Sequence, residues 1–433
     1  MNASFRSVRL TLCLLFALAG CQPTPPGPAS RPSAGASPVT RPVSTPVPTP
    51  LPTPVPDLKT GNLIPNPGAE EADKDQPAHW QSDSYGELQA EFSWGADAPY
   101  SGKRFLATRV SDYGVEGDAK WSFDPVRLKG GQWYEYRDQH RSDGRSRMLY
   151  SCTPPGGARR FYNAWQSHTS PGWQEEAFRF YLPSDCDVTV VHTLDRNGFL
   201  DTDHHQLRQV TPKAFKQALV SISFDDIWKT AYTLGAPELE KRGFKGGFYI
   251  NHVFAEQPGE LYASVADVKD LITRGHEIGS HAHRHVNLSQ LAEPDLLEDL
   301  RKEMVFLKDL GVTGSGIAYP FGDFDGKVET EVQRFHAYAR TSLEGLNDGN
   351  AIRYRLRVIT ATSDTPTETL LGWIDAARAT NTWLIFLFHD LGEPLKQHPY
   401  RTPFSQYVQV LDAIKAKGLH VVTIDQGLKE SGL

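Results

Sequence analysis

The sequence lacks the features of a membrane-spanning or nucleic-acid-binding protein. Its most apolar run, residues 10–18, is too short to cross a bilayer as a permanent helix, and no later stretch could cross one. The formal net charge is −7, so no electrostatic reason exists to expect binding to nucleic acid. We therefore expect a globular protein that does not span a membrane and does not bind nucleic acid.

The N-terminus has the pattern of a targeting segment. Arg6 and Arg9 precede the apolar run, which ends in LAGC at Cys21. These last four residues resemble a bacterial lipobox, and the resemblance implies cleavage before Cys21, lipidation of Cys21 and anchoring to the cell envelope. Gln22, and not Asp, follows the cysteine. By the usual sorting rule for lipoproteins, this favours delivery to the outer membrane if the host is Gram-negative. The alternative is an ordinary secretory signal with a chance cysteine.

Cysteine is scarce, with four in 433 residues. Cys13 lies in the apolar run and Cys21 would carry the lipid. Cys152 and Cys186 remain, and an exported protein folds in an oxidising compartment, so a disulfide between these two is expected. The alternative is a pair of buried free thiols.

Composition divides the chain into four parts. Residues 1–20 are the expected signal peptide, and residues 21–58 form a linker rich in Pro and Thr with almost no charge, typical of extended polyproline II. Residues 60–212 show short alternating runs without helical periodicity, which predicts an all-β sandwich. Residues 215–433 alternate strand, loop and helix, which predicts parallel strands closing into an α/β barrel with its chemistry at the C-terminal strand ends.

The β region begins with NLIPNPGAE, starting at Asn62. This opening resembles that of carbohydrate-binding jelly-roll modules. The resemblance implies a jelly-roll sandwich that binds sugar, with Trp94, Tyr100, Trp121 or Trp165 as candidate contacts, although core packing is the better explanation for any single one of them.

Five short motifs follow apolar runs in the last part of the chain. Adjacent carboxylates at a strand end point in different directions, so one can bind a metal while the other remains a base. Two histidines four residues apart would lie on one face of a helical turn, a spacing that suits metal binding. Each motif alone is common, and only their order along the chain is a specific signal. The five motifs are residues 223–226 (SFDD), 281–285 (HAHRH), 318–322 (AYPFG), 363–364 (SD) and 388–390 (FHD).

The ordered set resembles the polysaccharide deacetylase family (carbohydrate esterase family 4, the NodB homology domain) over about residues 215–430. The resemblance implies a distorted (β/α) barrel with fewer than eight regular units, which removes acetyl groups from glycans with the help of a metal. It also implies roles for single residues. These are Asp225 as general base, Asp226, His281 and His285 as ligands of a metal (usually zinc, with cobalt or nickel tolerated), the Phe321 N–H and neighbouring Gly322 at the oxyanion, Leu387 beside the acetyl methyl group, and His389 as general acid.

The sequence departs from this family at two places. Ala318 stands where the family often has an arginine that pairs with the base, and Arg340 is our hypothesis for its replacement. The family's Asp-Trp motif is also not clear. Asp364 is the nearest candidate to orient His389, and Trp373 is a candidate for the hydrophobic wall of the site.

The expected function is N-deacetylation of an N-acetylhexosamine polymer. An O-acetyl esterase acting on a xylan-like glycan uses the same chemistry and stays an alternative. A glycan-binding lipoprotein with an inactive barrel is the alternative from another functional class. The sequence leaves the glycan, the native metal and the oligomeric state open.

Overall fold

The computed structural model describes residues 61–257, 259–393, 398 and 400–433, which all belong to one compact unit. The expected signal peptide, Cys21 and the linker lie outside the described residues. Among the helices that are described, none is long and apolar enough to cross a membrane.

The first part of the described chain consists of β-strands. Their bounds are β1 (Ala72–Asp73), β2 (Gln76–Pro77), β3 (Trp80–Gly86), β4 (Gln89–Gly95), β5 (Phe105–Ser111), β6 (Gly117–Phe123), β7 (Val126–Leu128), β8 (Gln132–Ser142), β9 (Ser146–Thr153), β10 (Arg160–Ser167), β11 (Ser170–Leu182), β12 (Cys186–Leu194) and β13 (Gly198–Val210).

Strands β1 and β2 form a two-stranded sheet of their own, and the other eleven strands form two antiparallel sheets that share a core. One sheet has the order β10-β9-β12-β6-β3, with β7 beside β12, and the other has the order β11-β8-β13-β5-β4. Buried side chains of both sheets, such as Tyr136 and Leu207 on one side and Met148 and Val190 on the other, belong to one apolar cluster. The predicted β-sandwich is therefore confirmed. A disulfide joins Cys152 of β9 to Cys186 of β12.

The second part alternates strands and helices. Its strands are β14 (Leu219–Phe224), β15 (Gly247–Ile250), β16 (Glu277–Ser280), β17 (Ile317–Ala318), β18 (Ala339–Glu344), β19 (Leu356–Thr360), β20 (Trp383–Phe388), β21 (Leu391–Gly392), β22 (Thr402–Pro403) and β23 (His420–Val421). Its helices are α1 (Ala236–Lys241), α2 (His252–Ala255), α3 (Val265–Thr273), α4 (Glu293–Asp309), α5 (Gly326–Phe335), α6 (Thr367–Thr380), α7 (Phe404–Ala416) and α8 (Ile424–Ser431).

Seven parallel strands close into a barrel. They run β14-β15-β16-β17-β18-β19-β20, and β14 pairs with both β15 and β20. The short β23 pairs with Leu219 and Val220, at the start of β14. The predicted distorted barrel with fewer than eight regular units is confirmed.

Residue types explain where the barrel elements lie. The strands β14 and β20 are buried along their whole length, as expected for parallel strands covered on both faces. Helix α3 begins at a capping box in which the Ser264 and Asp267 side chains each accept from the other's backbone N–H. Gly275, with a positive φ of 83°, follows this helix and turns the chain into β16.

The sandwich and the barrel contact each other through charged groups. Arg145 of the sandwich donates to Asp323 at 2.6 Å, and Arg355 of the barrel donates to the Gln166 carbonyl at 3.1 Å. Arg357 donates to the Ala164 carbonyl at 2.5 Å. Because both parts belong to one compact unit, the domain boundaries given above, 60–212 and 215–433, stay a prediction.

Candidate active site

Two adjacent carboxylates follow β14 at the C-terminal rim of the barrel. The backbone turns sharply after Asp225, because Asp226 (φ 66°) and Ile227 (φ 53°) both adopt the left-handed conformation. A positive φ is a genuine outlier for a β-branched residue such as Ile227, and such strain often marks a functional site. The turn sends the two carboxylates to different partners.

His281 and His285 follow β16 in a loop. The predicted helical turn is wrong, since residues 281–287 contain no helix. Ala282 (φ 59°) and His285 (φ 52°) are left-handed, and these two reversals bring both imidazoles to one carboxylate without a helix. The Asp226 Oδ1 atom lies 3.3 Å from His281 Nε2 and 3.0 Å from His285 Nε2.

The three side chains fit a divalent cation. Asp226 Oδ1 is buried and has no partner with hydrogen-bond geometry within the described residues, although two imidazole nitrogens face it. His281 Nδ1 lies 2.8 Å from the Ala318 carbonyl oxygen and donates to it, which leaves the Nε2 lone pair directed at Asp226. A set of two nitrogens and one oxygen suits zinc and neighbouring transition metals.

Electrostatics favour the charged carboxylate at this point. Burial alone would raise the pKa of Asp226, but His281 and His285 beside it outweigh burial and hold that pKa well below its usual range. A permanently ionised carboxylate is what a cation ligand requires.

Asp225 points into the barrel, where it meets Arg340. Asp225 is 4% exposed and Arg340 is 2% exposed, and the Arg340 guanidinium donates to Asp225 Oδ1. Ala318 of β17 is in register with Arg340 of β18, so the guanidinium comes from the strand next to the alanine. The guanidinium also lies over the Tyr249 ring at 4.7 Å. The pairing suggested from the sequence is present in the structure.

The turn at Phe321 presents a backbone N–H at the rim. Phe321 has a φ of 60°, its ring is 64% exposed, and that ring lies 4.7 Å from the His285 ring. Within the described residues the Gly322 N–H donates to the Tyr319 carbonyl, whereas the Phe321 N–H has no backbone acceptor. A Cβ at Gly322 would lie 1.7 Å from Ser342 Oγ, so this turn requires glycine.

His389 follows β20 at the same rim. Its Nδ1 is buried without a partner in the described part of the chain, and its ring lies 5.2 Å from the Tyr400 ring. Burial lowers the pKa of His389, while the Asp225 and Asp226 charges oppose that shift. Leu387, two residues earlier, is 3% exposed and packs in the barrel interior.

Two of the weaker expectations are wrong in position. Asp364 is exposed in the turn after β19, where it is hydrogen-bonded to Ser363 and lines a groove against the sandwich. Trp373 lies on α6, outside the barrel, where its ring is 5.9 Å from the Tyr181 ring of the sandwich. His389 Nδ1 has no hydrogen-bond partner among the described residues, so Asp364 does not orient the ring through that atom, and Trp373 packs against the sandwich.

The sequence interpretation missed the support of the histidine loop. Asp299 of α4 is 1% exposed, and its carboxylate accepts from the His283 N–H at 2.8 Å and from Arg284 Nε at 2.6 Å. Nearby, Glu303 accepts from the His252 N–H at 3.1 Å. The signal that could have found them is their spacing, since Asp299 and Glu303 lie on the same helix face as the buried Leu296, Leu300 and Leu307.

One stretch of the chain, which includes part of this site, matches the model of a known family. Residues 202–339 match the family model described as polysaccharide deacetylase. This stretch contains Asp225, Asp226, His281, His285 and Phe321, and it ends just before Arg340. A search of curated proteins finds no match.

Solved structures similar to this chain share little sequence with it. The Xyl-CE4 domain of a multidomain xylanase from the hindgut metagenome of Trinervitermes trinervoides is 16% identical, covers 50% of this chain and 93% of its own, and has a TM-score of 0.36. The deacetylase PplD of Streptococcus pyogenes is 18% identical, with coverages of 35% and 69% and a TM-score of 0.32. The peptidoglycan deacetylase PdaC of Bacillus subtilis is 14% identical, with coverages of 50% and 92% and a TM-score of 0.36. At these scores the similarities carry no argument about function.

Proposed function

We propose that this chain, whose residues 202–339 match the polysaccharide deacetylase family model, hydrolyses the acetamide group of N-acetylhexosamine residues in an envelope or extracellular polysaccharide. The main observation behind this proposal is the arrangement of two carboxylates and two imidazoles at the barrel rim. Asp226 Oδ1 lies within 3.3 Å of two imidazole nitrogens, while the neighbouring Asp225 is held apart by Arg340. One carboxylate is thus available for a cation and the other for a proton.

Asp226, His281 and His285 would hold the metal, with zinc as the proposed ion. A divalent cation bound there supplies Lewis acidity, which activates water and polarises an acyl oxygen. The His281 Nδ1 donation to the Ala318 carbonyl fixes the orientation of one ring.

Asp225 and His389 would move the protons. Asp225 takes a proton from the attacking water, whose oxygen forms a bond to the acetamide carbon. The Phe321 N–H donates to the oxygen that becomes negative in this step. The carbon–nitrogen bond then breaks as His389 gives a proton to the departing nitrogen, and the products are acetate and a free amino sugar.

Acetate release tests this proposal. We expect release from chitooligosaccharide, poly-N-acetylglucosamine or peptidoglycan, loss of release with a chelator, and recovery on adding zinc. Asp225→Asn should lower turnover by a factor of about 10²–10⁴, the usual contribution of a positioned base. His420→Gln, at an exposed histidine paired with Glu430, is the matched control and should leave turnover unchanged.

Adding acetylxylan to these substrates distinguishes the alternatives. Acetate released from acetylxylan alone would replace the proposal with an O-acetyl esterase. A folded protein that binds glycan but releases no acetate with any metal would identify an inactive binding protein.

We propose further that the protein is exported and lipid-anchored through Cys21, which would place the barrel at the envelope glycan. Metabolic labelling with a radioactive fatty acid tests this anchor. Label should appear in the wild type and be absent from Cys21→Ser, which should also leave the membrane fraction. Unlabelled wild-type protein in the soluble exported fraction would contradict the anchor.

A further inference from the structure

A second group of metal-ligand side chains lies inside the sandwich. Asp138 and His140 are on β8, and His192 is on β12 of the facing sheet. All three are buried, at 1%, 0% and 4% exposure. One ligand atom from each lies within 4.8 Å of the others, so the three converge on one point between the sheets.

Two atoms of this group are orphaned. Asp138 Oδ1 and His140 Nδ1 have no hydrogen-bond partner within the described residues, and both belong to side chains sealed from solvent. A buried polar atom without a partner costs about 1–3 kcal/mol, and more when it is charged. A ligand between these atoms would remove that cost.

In both histidines, the ring nitrogen that points away from Asp138 is hydrogen-bonded, which leaves the other ring nitrogen free to bind an ion. His140 Nε2 lies 3.0 Å from the His168 carbonyl oxygen and must donate to it, so the Nδ1 lone pair faces inward. His192 Nε2 lies 3.0 Å from Ser146 Oγ and Ser167 Oγ, which can accept its proton. Metal-binding histidines are usually oriented in this way, by donation from the remote ring nitrogen.

The inward atoms also have the charge that a cation needs. His192 Nδ1 lies 2.9 Å from Asp138 Oδ2, and Tyr136 donates to the same oxygen at 3.2 Å. A carboxylate and two imidazole rings therefore present ligand atoms to one point, as the ligands of a cation do.

A catalytic reading of the same side chains fails. Asp138, His192 and Ser146 lie in the order of a carboxylate–imidazole–hydroxyl triad. Ser146 is 1% exposed and Ser167 is 5% exposed, however, so no substrate could approach either hydroxyl.

We propose that Asp138, His140 and His192 bind a structural divalent transition-metal ion, zinc by preference, which ties the two sheets of the sandwich together. The donor set is two imidazoles and one carboxylate, the same as at the barrel rim, and it suits zinc, cobalt or nickel. Unlike the rim, the group is sealed from solvent, so no substrate could reach an ion bound there and its role would be structural.

The test measures the number of bound metal ions in a variant that lacks two ligands of the rim metal site. The full chain carrying His281→Gln and His285→Gln is purified from medium supplemented with cobalt, and bound metal is measured by elemental analysis and visible absorption. We expect about two ions per chain in the wild type and about one in the double variant, with absorption typical of nitrogen and oxygen ligands. The sandwich residues are unchanged in this variant, so its folding does not depend on altering the proposed site.

Two further variants on that background locate the ion. Asp138→Asn, of nearly identical shape, should lower occupancy at least tenfold, in line with the loss of a charged ligand. His79→Gln, at an exposed histidine of the same sandwich, should leave occupancy unchanged. A folded double variant without bound cobalt would overturn the proposal, as would an ion that persists in Asp138→Asn. If the wild type lacks the rim ion or releases no acetate, that result contradicts only the proposed function and not the sandwich site.

Discussion

At Asp225 the fold buries a carboxylate and a guanidinium together. Each is almost fully enclosed, and the guanidinium is also stacked on Tyr249. A buried ion pair of this kind need not stabilise the fold, but removing one partner leaves an uncompensated charge. The pair therefore makes the proposed base depend on a residue 115 positions away in the sequence.

Replacing Arg340 with methionine tests this dependence. We expect the free energy of unfolding to fall by about 3–5 kcal/mol, the usual cost of breaking a buried pair. We also expect kcat/KM to fall and its pH profile to change, because the base has lost its partner. Denaturant unfolding and acetate release against pH measure these effects. Arg340→Lys keeps the positive charge, so its free energy of unfolding and its kcat/KM should fall less than those of Arg340→Met. An unchanged pH profile in Arg340→Met would contradict the role of Arg340.

The residues with catalytic or metal-binding side chains could be found from the sequence. The residues that hold those side chains in place could not. Asp225, Asp226, His281, His285 and His389 stand directly after apolar runs, and parallel strands place such positions on one rim. Arg340 could be suggested because it ends a strand-like stretch. Asp364 and Trp373 were misplaced, since the direction in which a turn or a helix leaves the rim is set by packing against the sandwich.

At the scale of elements, α4 holds the histidine loop in place. The loop has no regular hydrogen bonds of its own, and Asp299 fixes it by accepting from His283 and Arg284. The helical turn expected from the four-residue spacing would have needed no such support. The left-handed conformation of Ala282 could not be foreseen, because alanine rarely adopts it, whereas histidine, as at His285, adopts it more often than most residue types do.

Removing this anchor should weaken the rim metal site. We expect Asp299→Asn to lower metal affinity by about 10–100-fold, as is typical for residues that orient ligands. Competition with a chromogenic chelator measures the affinity. Glu298→Gln is the matched control, since the exposed Glu298 carboxylate pairs only with Lys302 in the described structure, and its affinity should equal that of the wild type. Equal affinities for Asp299→Asn and the control would show that the loop does not need Asp299.

The disulfide should stabilise the sandwich sheet that contains β9 and β12. It closes a loop of 34 residues, for which the chain-entropy relation gives about 4 kcal/mol. Replacing both cysteines with serine should lower the free energy of unfolding by an amount of this order. Denaturant unfolding of the variant and of the reduced wild type should agree. A loss below about 1 kcal/mol in both would show that the bond contributes little.

At the scale of the whole molecule, a charged cluster joins the sandwich to the barrel. His168 of the sandwich lies 3.1 Å from Glu176 and 3.2 Å from Glu329 of α5, and Arg355 donates to Glu329 at 2.7 Å. The two parts have separate sequence patterns, but nothing in either pattern shows which surfaces meet. Such contacts depend on the final geometry of both parts, so they became visible only in the structure.

This cluster should make stability depend on pH. Glu176 and Glu329 raise the pKa of His168 to about 9, against the opposing effect of burial. A raised histidine pKa gives stability that is complete below 6.5, its usual value, and is lost as the pH rises through 9. For Glu329, burial would raise the pKa, but His168 and Arg355 lower it to about 2, so its contribution is lost only in acid.

Denaturation midpoints at pH 6, 7.5 and 9 measure this dependence. We expect the wild type to lose stability over this range relative to His168→Gln, which lacks the titrating ring. The difference should be modest, because the His168 side chain is 43% exposed and solvent screens its charge. His79→Gln, at an exposed histidine away from Glu329, should follow the wild type. If His168→Gln also follows the wild type, then the cluster does not couple the sandwich to the barrel through this proton, and the contact must rest on the hydrogen bonds of Arg145, Arg355 and Arg357.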